Sequence, residues 1–331
     1  MFITTEQLGK DIFLNLEKVI FHLKYIGIIF VFFSSLNTYS QKKNQQYLLI
    51  LGTVQDAGSP HAGCGKKCCE DLFENPITSR KVVSIGIVDN KTQKTWLIEA
   101  SPDFPTQCKK LNNILSFSHK EMPDGIFLTH AHIGHYSGLM YLGRESINSN
   151  NVPVYAMTRM KGFLIQNGPW NQLIKINNIK INNIENEVPI VLSENLSIVP
   201  FLVPHRDEFS ETVGYKIIGP NKTILFIPDI DKWTKWNKNI IQQIKQCDLA
   251  MIDGTFYDEK EVNYRDISEI PHPFVVETMN LFSGESEETK NKIGFIHLNH
   301  TNPLLNIESD EYKRVIQNGF SVVKYNQKVE L

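Results

Sequence analysis

Short apolar runs rich in branched residues recur along the chain from residue 47 to residue 325, and helical patterns separate many of them. Their length and β-branched content favour strands over buried helices. The predicted strands are 47–53, 81–88, 95–100, 125–130, 152–157, 196–205, 213–218, 223–229, 249–254, 292–298 and 320–325. The predicted helices are 137–145, 158–166, 234–246, 272–282 and 307–318. Strands mixed with helices, without a fixed repeat, predict an α/β sandwich.

The length and net charge of the chain limit the number of domains and the kinds of partner that we expect. Its 331 residues are 41% hydrophobic, the formal net charge is −2, and no Gly/Ser/Pro linker divides the sequence, which predicts one large domain. Basic residues occur singly or in pairs rather than in long blocks, so nucleic acid is not an expected partner. We expect a small-molecule substrate instead.

The N-terminal segment has the pattern of a leader. In "FHLKYIGIIFVFFSSLNTYSQKK" a lysine precedes an apolar run from Tyr25 to Phe33, and small polar residues follow up to Gln41. This order is typical of a secretory signal peptide, and the run is too short for a membrane-spanning helix of about 20 residues. We predict that residues 1–40 are a signal peptide cleaved near Ser40 and that 41–331 form the folded domain. The protein would then be periplasmic or secreted, without stable membrane association; a membrane anchor is the alternative.

Three histidines in "LTHAHIGHYSGL" (128–139) suggest a metal site. His130 and His132 are two residues apart and face the same side of an extended segment. His135 follows where the chain turns towards a predicted helix. One strand-to-helix loop would therefore direct three imidazoles, the commonest neutral metal ligands, into one small volume.

Further candidate ligands follow other predicted strands. His205 in "VPHRDE", Asp229 in "FIPDID" and His297 in "HLNHTNP" each end an apolar run, and His300 lies three residues after His297. α/β folds gather their sites at the C-terminal ends of strands. The alternative roles are an ordinary capping carboxylate for Asp229 and a buried, backbone-bonded imidazole for His297.

The order H-x-H-x-x-H, then His, Asp and a last His resembles the metallo-β-lactamase-fold superfamily over most of residues 41–331. The blocks "ASPD", "FIPDID", "MIDGTFYDEKE" and "HLNHTNPLL" resemble its pyrroloquinoline-quinone (PQQ) biosynthesis protein B branch. The resemblance implies an αββα sandwich of two mixed sheets flanked by helices. It also implies one or two zinc ions, with iron or manganese as alternatives. By this resemblance the first metal would be held by His130, His132 and His205, the second by His135 and His297, and Asp229 would bridge them.

Gly134 departs from that pattern, because the superfamily carries at this position an aspartate that binds the second metal. Glycine has no ligand atom, although it would permit a tight turn with positive φ. A replacement ligand would have to come from elsewhere in the chain. The candidates are Asp56, His61, His272 and His300.

A cysteine cluster lies near the N-terminal end of the predicted domain. His61, Cys64, Cys68 and Cys69 have ligand types that zinc prefers, which predicts a small structural zinc site. The quinone-biosynthesis branch carries a Cys-rich structural zinc site in the same region. A disulfide between two of these cysteines is the alternative in an oxidising compartment.

The implied chemistry is hydrolysis by a metal-activated water at a carbonyl or phosphoryl centre. Asp229 would hold the nucleophile or accept its proton, and His300 or His272 would assist the leaving group. Arg206 would clamp an anionic substrate, unless it only pairs with Asp207 or Glu208. Two alternatives stay open: an iron-dependent oxygenase or PQQ-precursor-handling protein, as the branch resemblance implies, and a non-catalytic metal-dependent binding protein.

Overall fold

Two mixed sheets make up the body of the computed structural model, which describes residues 46–114, 121–262, 266 and 269–331. The first sheet contains β1 (Gln46–Gly52), β2 (Ser84–Asp89), β3 (Lys94–Ile98), β4 (Gly125–Phe127), β5 (Val152–Ala156) and β6 (Ile179–Asn183). The second contains β7 (Ile190–Ser193), β8 (Leu196–Leu202), β9 (Val213–Ile218), β10 (Thr223–Ile227), β11 (Leu249–Asp253), β12 (Ile293–Ile296) and β13 (Ser321–Val322). The last strand, β14 (Lys328–Glu330), returns to the first sheet beside β1.

Each sheet is antiparallel on one side and parallel on the other. In the first, β14, β1, β2 and β3 pair antiparallel in that order, and β3 to β6 pair parallel. In the second, β7 to β10 pair antiparallel and β10 to β13 pair parallel. The parallel strands end at the same edge of their sheet, where loops can bring remote residues together.

Helices cover the outer faces of both sheets. They are α1 (Phe104–Asn112), α2 (Ile133–Tyr136), α3 (Thr158–Gln166), α4 (Trp170–Lys175), α5 (Ile240–Lys245), α6 (Val275–Leu281), α7 (Glu287–Asn291) and α8 (Asp310–Gln317). Short 3-10 helices lie at Glu70–Phe73, Ser137–Leu142, Trp233–Lys235, Glu259–Val262 and Pro303–Leu305.

The core has three layers, and β1 shows how the sequence produces them. Leu48 and Ile50 point into the layer between the sheets, whereas Leu49 and Leu51 point into the layer under α1, α3 and α4. A third layer lies between the second sheet and α5, α6 and α8. Because both faces of the central strands are buried, these strands are continuous apolar runs rather than alternating ones. The predicted αββα sandwich is confirmed.

All eleven predicted strands are present, although β4 and β13 are shorter than predicted. The helix predicted over 137–145 is wrong in type: α2 ends at Tyr136 and a 3-10 helix follows to Leu142. The cause is Gly138, whose amide donates to the carbonyl of Ala100 at 2.8 Å instead of to its own helix. The space around Gly138 is filled by the Ala100–Ser101 backbone, so this segment follows the sheet edge closely.

The predicted signal peptide lies outside the described residues and stays a prediction. The rest of the chain, Gln45–Leu331, forms one compact unit. Among the described residues, none of the helices combines the length and the apolar character needed to cross a bilayer.

Candidate metal centre

Loops that follow several strands converge at one end of the sandwich. His130 comes three residues after β4, His205 three after β8 and Asp229 two after β10, while His297 directly follows β12. His132 precedes α2 and His135 lies in it. The structure thus brings together all six residues predicted as metal ligands.

The first group consists of His130, His132, His205 and Asp229, whose ligand atoms all lie within 4.8 Å of one another. Asp229 Oδ2 is 3.4 Å from His130 Nε2, and Asp229 Oδ1 is 3.4 Å from His205 Nε2. His205 Nε2 is 3.3 Å from His132 Nδ1. Two ligands at about 2.05 Å from a tetrahedral zinc are separated by about 3.3 Å. The spacing of this group is therefore that of ligands that share one ion.

The second group consists of Asp56, His135 and His297, again with ligand atoms within 4.8 Å of one another. His135 Nε2 also lies 3.7 Å from Asp229 Oδ2, so Asp229 stands between the two groups. Of the four candidate replacements for the ligand missing at position 134, Asp56 is the one that lies in a group with His135 and His297 in the described part of the chain.

Neighbouring polar groups fix which nitrogen each histidine presents. Thr255 Oγ1 donates its proton to Asp253 Oδ1 at 2.7 Å, so it accepts from His297 Nδ1 at 2.8 Å. This leaves the lone pair of His297 on Nε2. Asp231 Oδ1 lies 3.2 Å from His205 Nδ1, and Glu99 Oε1 lies at an ion-pair distance of 3.3 Å from His135 Nδ1 without hydrogen-bond geometry. Carboxylates that hold the distal ring nitrogen are typical of metal-binding histidines.

Several of these nitrogens are buried without a hydrogen-bond partner among the described residues. They are Nε2 of His130, His135 and His297. A buried polar atom without a partner costs about 1–3 kcal/mol, and native proteins rarely leave one. A bound cation satisfies all three lone pairs, so the residues fit a metal cofactor.

Shifts in pKa distinguish the neutral side chains of the centre from the charged ones. Burial lowers the pKa of His130 well below its ordinary value and that of His297 to about 4, so both are neutral ligands at pH 7. Burial alone would raise the pKa of Asp229, but the nearby His205 and His272 hold it well below its ordinary range. Asp229 is therefore a buried carboxylate that attracts a cation.

His135 and His272 carry the opposite shift. Burial would lower both pKa values, yet the carboxylate of Glu99 raises that of His135 to about 9, and Asp253 raises that of His272 to about 9. His272 Nδ1 lies 2.8 Å from Asp253 Oδ2 and 3.2 Å from Asp229 Oδ1. Of the predicted catalytic residues, His272 therefore lies beside Asp229 and holds a proton.

The predicted catalytic residue His300 lies elsewhere, in a group with the cysteine sulfurs of Cys64, Cys68 and Cys69. Cys68 Sγ is 3.9 Å from both Cys64 Sγ and Cys69 Sγ. Two thiolates at about 2.3 Å from a tetrahedral zinc are about 3.8 Å apart, whereas a disulfide needs about 2.05 Å. The three thiols are unbonded to one another and spaced like zinc ligands.

His61, predicted as the fourth member of the cysteine group, is not grouped with the sulfurs. Its ring contacts that of His300 with centroids 4.4 Å apart and planes tilted by 32°, and its Nδ1 lies 2.9 Å from the carbonyl of Ala62. Its amide nitrogen lies 3.4 Å from Cys69 Sγ. The backbone of His61 therefore supports the cluster, and the imidazole in the ligand group is that of His300.

Gly134 is explained by space rather than by backbone conformation. It lies in α2 and is not among the glycines with positive φ, so the prediction of a tight turn with positive φ at this position is wrong. A Cβ atom at this position would come within 2.0 Å of Asp56 Cβ. Only glycine leaves room for Asp56.

An open cavity of about 730 Å³ adjoins the centre. His272 and Thr255 line it on the side of the metal ligands, and His61 and His300 line it near the cysteines. Arg206 also lines it; its Nη2 is 3.4 Å from His132 Nδ1, and its Nε is 3.8 Å from Glu208 Oε1. Both predicted roles of Arg206, facing the site and pairing with Glu208, are thus compatible with its position.

Sequence reasoning missed the residues that orient the histidines: Glu99, Asp231, Asp253 and Thr255. Their signal was present, because each lies at the C-terminal end of a strand or in the loop that follows it. All four also lie in or beside blocks that resemble the quinone-biosynthesis branch.

Comparisons with known proteins agree with this geometry. The chain is 25% identical over 313 residues to coenzyme PQQ synthesis protein B of Acinetobacter baumannii (strain ACICU), covering 86% of this chain and all of that protein. The fold matches Zn(2+)-bound PqqB from Methylobacterium extorquens with a TM-score of 0.69 at 20% identity, covering 86% of this chain and 100% of that one. It matches a diphosphatase from the PhnP family with a TM-score of 0.58 at 19% identity, covering 86% and 97%.

The family itself follows from a match that covers more than half of the chain. Residues 94–291 match the Beta-lactamase superfamily domain. This segment includes His130, His132, His135, His205 and Asp229. With its αββα sandwich and its His/Asp cluster, the chain belongs to the beta-lactamase superfamily, in its metallo-β-lactamase fold.

Proposed function

We propose that the protein is a metal-dependent hydrolase whose first metal is held by His130, His132, His205 and Asp229. The observation that carries the proposal is that the ligand atoms of these largely buried residues all lie within 4.8 Å of one another, with three pairs at 3.3–3.4 Å. A divalent ion bound there supplies a water whose pKa falls to about 7, and hence a nucleophile at neutral pH. Zinc is the first choice, since a PqqB structure of the same fold is described as Zn(2+)-bound.

The residues around this centre have separable tasks. Asp229 is ionised and lies between both histidine groups, so it holds the nucleophile in position. His272 carries a proton that Asp253 stabilises, and it lines the cavity. It is thus placed to donate that proton to a leaving group.

The cavity favours an anionic substrate. Its charged lining comprises Lys66, Arg206 and protonated His272 against Glu269. Guanidinium and ammonium groups bind phosphoryl oxygens well. We therefore propose a small phosphoester as the substrate, a choice that the fold shared with a PhnP-family diphosphatase supports. Neutral esters, lactones and amides are the less suited carbonyl substrates.

The test is a substrate panel with zinc-loaded and chelator-treated protein. Phosphomonoesters, phosphodiesters, lactones and thioesters are followed by product release. The proposal expects turnover of at least one phosphoester that disappears after chelation and returns with metal. Full metal occupancy without turnover of any member would instead support a binding protein.

Arg206→Ala is expected to raise KM for the phosphoester about 10-fold and to leave kcat within a few-fold. Arg206 contacts the substrate anion in this proposal but not the reacting water, so its loss removes binding of about 1.4 kcal/mol. Steady-state kinetics measure both constants. The matched control is Arg144→Ala, an exposed arginine that pairs with Glu145 at 3.1 Å. Equal KM in both variants would remove Arg206 from the substrate site.

A second candidate function is supported by the PQQ synthesis protein B relatives, which this chain covers over their full length. In that case the centre would hold iron, whose ligands are imidazole and carboxylate, and would use oxygen on a precursor of the quinone. Oxygen consumption by iron-loaded protein with a tyrosine-derived peptide would favour this function. Chelator-sensitive phosphoester hydrolysis without oxygen uptake would favour the first.

We also propose a structural zinc held by Cys64, Cys68, Cys69 and His300. Cys64→Ser is expected to lose one equivalent of zinc and to lower the melting temperature by about 5 °C, since structural zinc contributes folding energy. Elemental analysis and thermal unfolding measure these effects. Cys247→Ala, which removes a buried thiol far along the sequence, should keep the full zinc content. Equal zinc in wild type and Cys64→Ser would contradict the proposal.

Export stays a prediction from the sequence alone. If the leader is cleaved near Ser40, N-terminal sequencing of protein isolated from its native host finds a start near Gln41.

A further inference from the structure

We propose that Asp56 supplies the carboxylate of a second metal position, replacing the ligand that the superfamily takes from position 134. The proposal rests on the metal-dependent function above and deepens it. It places a ligand on the loop after β1 rather than on the histidine loop. The centre would then hold two ions, with Asp229 between them.

The first argument is the ligand set. Asp56 has a carboxylate oxygen within 4.8 Å of ligand nitrogens of His135 and His297. Nε2 of both histidines is buried without a hydrogen-bond partner among the described residues. Thr255 Oγ1 lies at hydrogen-bond distance, 2.8 Å, from Nδ1 of His297, and Glu99 Oε1 lies 3.3 Å from Nδ1 of His135. Two buried imidazole nitrogens without a partner, beside one carboxylate, form a cation site and not an anion site.

The second argument is how Asp56 is held in place. The amide of Gln55 donates to the carbonyl of Leu298 at 2.9 Å, and the amide of Leu298 donates to the carbonyl of Thr53 at 2.9 Å. This pair of backbone hydrogen bonds ties the loop after β1 to the residue that follows His297. The same two backbone hydrogen bonds therefore fix the positions of the chain segments that carry Asp56 and His297.

The third argument is the space at Gly134. A Cβ atom there would lie 2.0 Å from Asp56 Cβ and 2.5 Å from Asp56 Cα. Side chains at positions 56 and 134 therefore compete for one volume, and in this chain Asp56 fills it. Asp56 Cβ thus lies almost where the Cβ atom of a residue at position 134 would lie, but Asp56 belongs to the loop after β1.

The other candidate replacements are placed elsewhere. His300 lies with the cysteine sulfurs, and the ring of His61 contacts that of His300. His272 lies beside Asp253 and Asp229. Asp56 alone of the four is grouped with His135 and His297 in the described part of the chain.

The test measures metal stoichiometry, which does not depend on any substrate. Demetallated wild type, Asp56→Ala and Asp56→Asn are titrated with Zn²⁺ by calorimetry, and the metal retained after desalting is measured by elemental analysis. Asp56→Asn keeps the side-chain volume and removes the charge. We expect Asp56→Ala to bind one equivalent fewer than wild type, and Asp56→Asn to bind the last equivalent at least 10-fold more weakly.

The control is Asp71→Ala, which removes an exposed aspartate from the 3-10 helix Glu70–Phe73. This variant should bind as many equivalents of metal as wild type and with the same affinity. Circular dichroism and melting temperature identify any variant that fails to fold. Full wild-type stoichiometry and affinity in both Asp56 variants would overturn the inference while the first metal position stands. Failure of wild type itself to retain metal at the histidine centre would overturn both this inference and the proposed function.

Discussion

Replacing Asp229 by alanine is expected to lower kcat/KM for the phosphoester about 10³-fold and to release metal from the centre. Asp229 contacts both histidine groups, with Oδ2 3.4 Å from His130 Nε2 and 3.7 Å from His135 Nε2. Its removal deletes a ligand and leaves protonated His272 without one of its two carboxylate partners. A 10³-fold loss equals about 4 kcal/mol of transition-state stabilisation, which is in the range that a metal centre supplies.

Two variants separate this effect from general damage. Asp229→Asn keeps the volume and one oxygen but loses the charge, so we expect a smaller loss of about 10²-fold and weaker metal retention. Asp310→Ala removes an exposed carboxylate in the first turn of α8 and should leave activity and metal content unchanged. The measurements are kcat/KM and metal content on the same preparations. Wild-type activity in Asp229→Ala would show that the His/Asp cluster is not the catalytic centre.

The central strands could be predicted from the sequence because burial on both faces makes them apolar throughout. The same reasoning fails at the edges of the sheets. The edge strand β6 has the sequence IKINN, in which Ile179 is buried while Lys180 and Asn183 are exposed. Without a continuous apolar run, the sequence of this segment does not predict a strand.

The ligand candidates could be predicted because each histidine or aspartate ends or closely follows an apolar run. The residues that orient them have the same placement at strand ends, but their role as orienting residues depends on contacts that form only in the folded site. Asp253 accepts a hydrogen bond from the hydroxyl of Thr255, and its other carboxylate oxygen lies 2.8 Å from Nδ1 of His272. His272 is 19 residues further along the chain than Asp253. Sequence spacing gives no measure of such contacts.

The histidine of the cysteine group shows the same limit. His61 is close to Cys64 in sequence, but His300 arrives there through the loop after β12. Neighbours in sequence are the natural prediction for a compact zinc site. Here the backbone amide of His61 contacts Cys69 Sγ, and the imidazole of the group belongs to His300, near the C-terminal end of the domain.

Gly134→Ala is expected to destabilise the protein by about 3 kcal/mol and to remove the metal that depends on Asp56. The backbone of Gly134 is helical and accepts alanine, so the cost comes only from the collision of the new Cβ with Asp56. Because that Cβ would also lie 2.5 Å from Asp56 Cα and 2.7 Å from its carbonyl oxygen, rotating the side chain does not relieve it. The loop after β1 has to move, and overpacking of this kind costs about 1–3 kcal/mol or more.

The matched control is Gly162→Ala in α3, where a Cβ would meet nothing within 4 Å. That variant should gain about 0.5–1 kcal/mol, since alanine favours a helix interior over glycine. Urea unfolding gives both free energies, and elemental analysis gives the metal content. Because Gly134→Asp carries the same Cβ, it should also displace Asp56, although it adds the carboxylate that the superfamily has at this position. If Gly134→Ala were as stable as wild type and kept its metal, Asp56 would not occupy the space that the structure gives it.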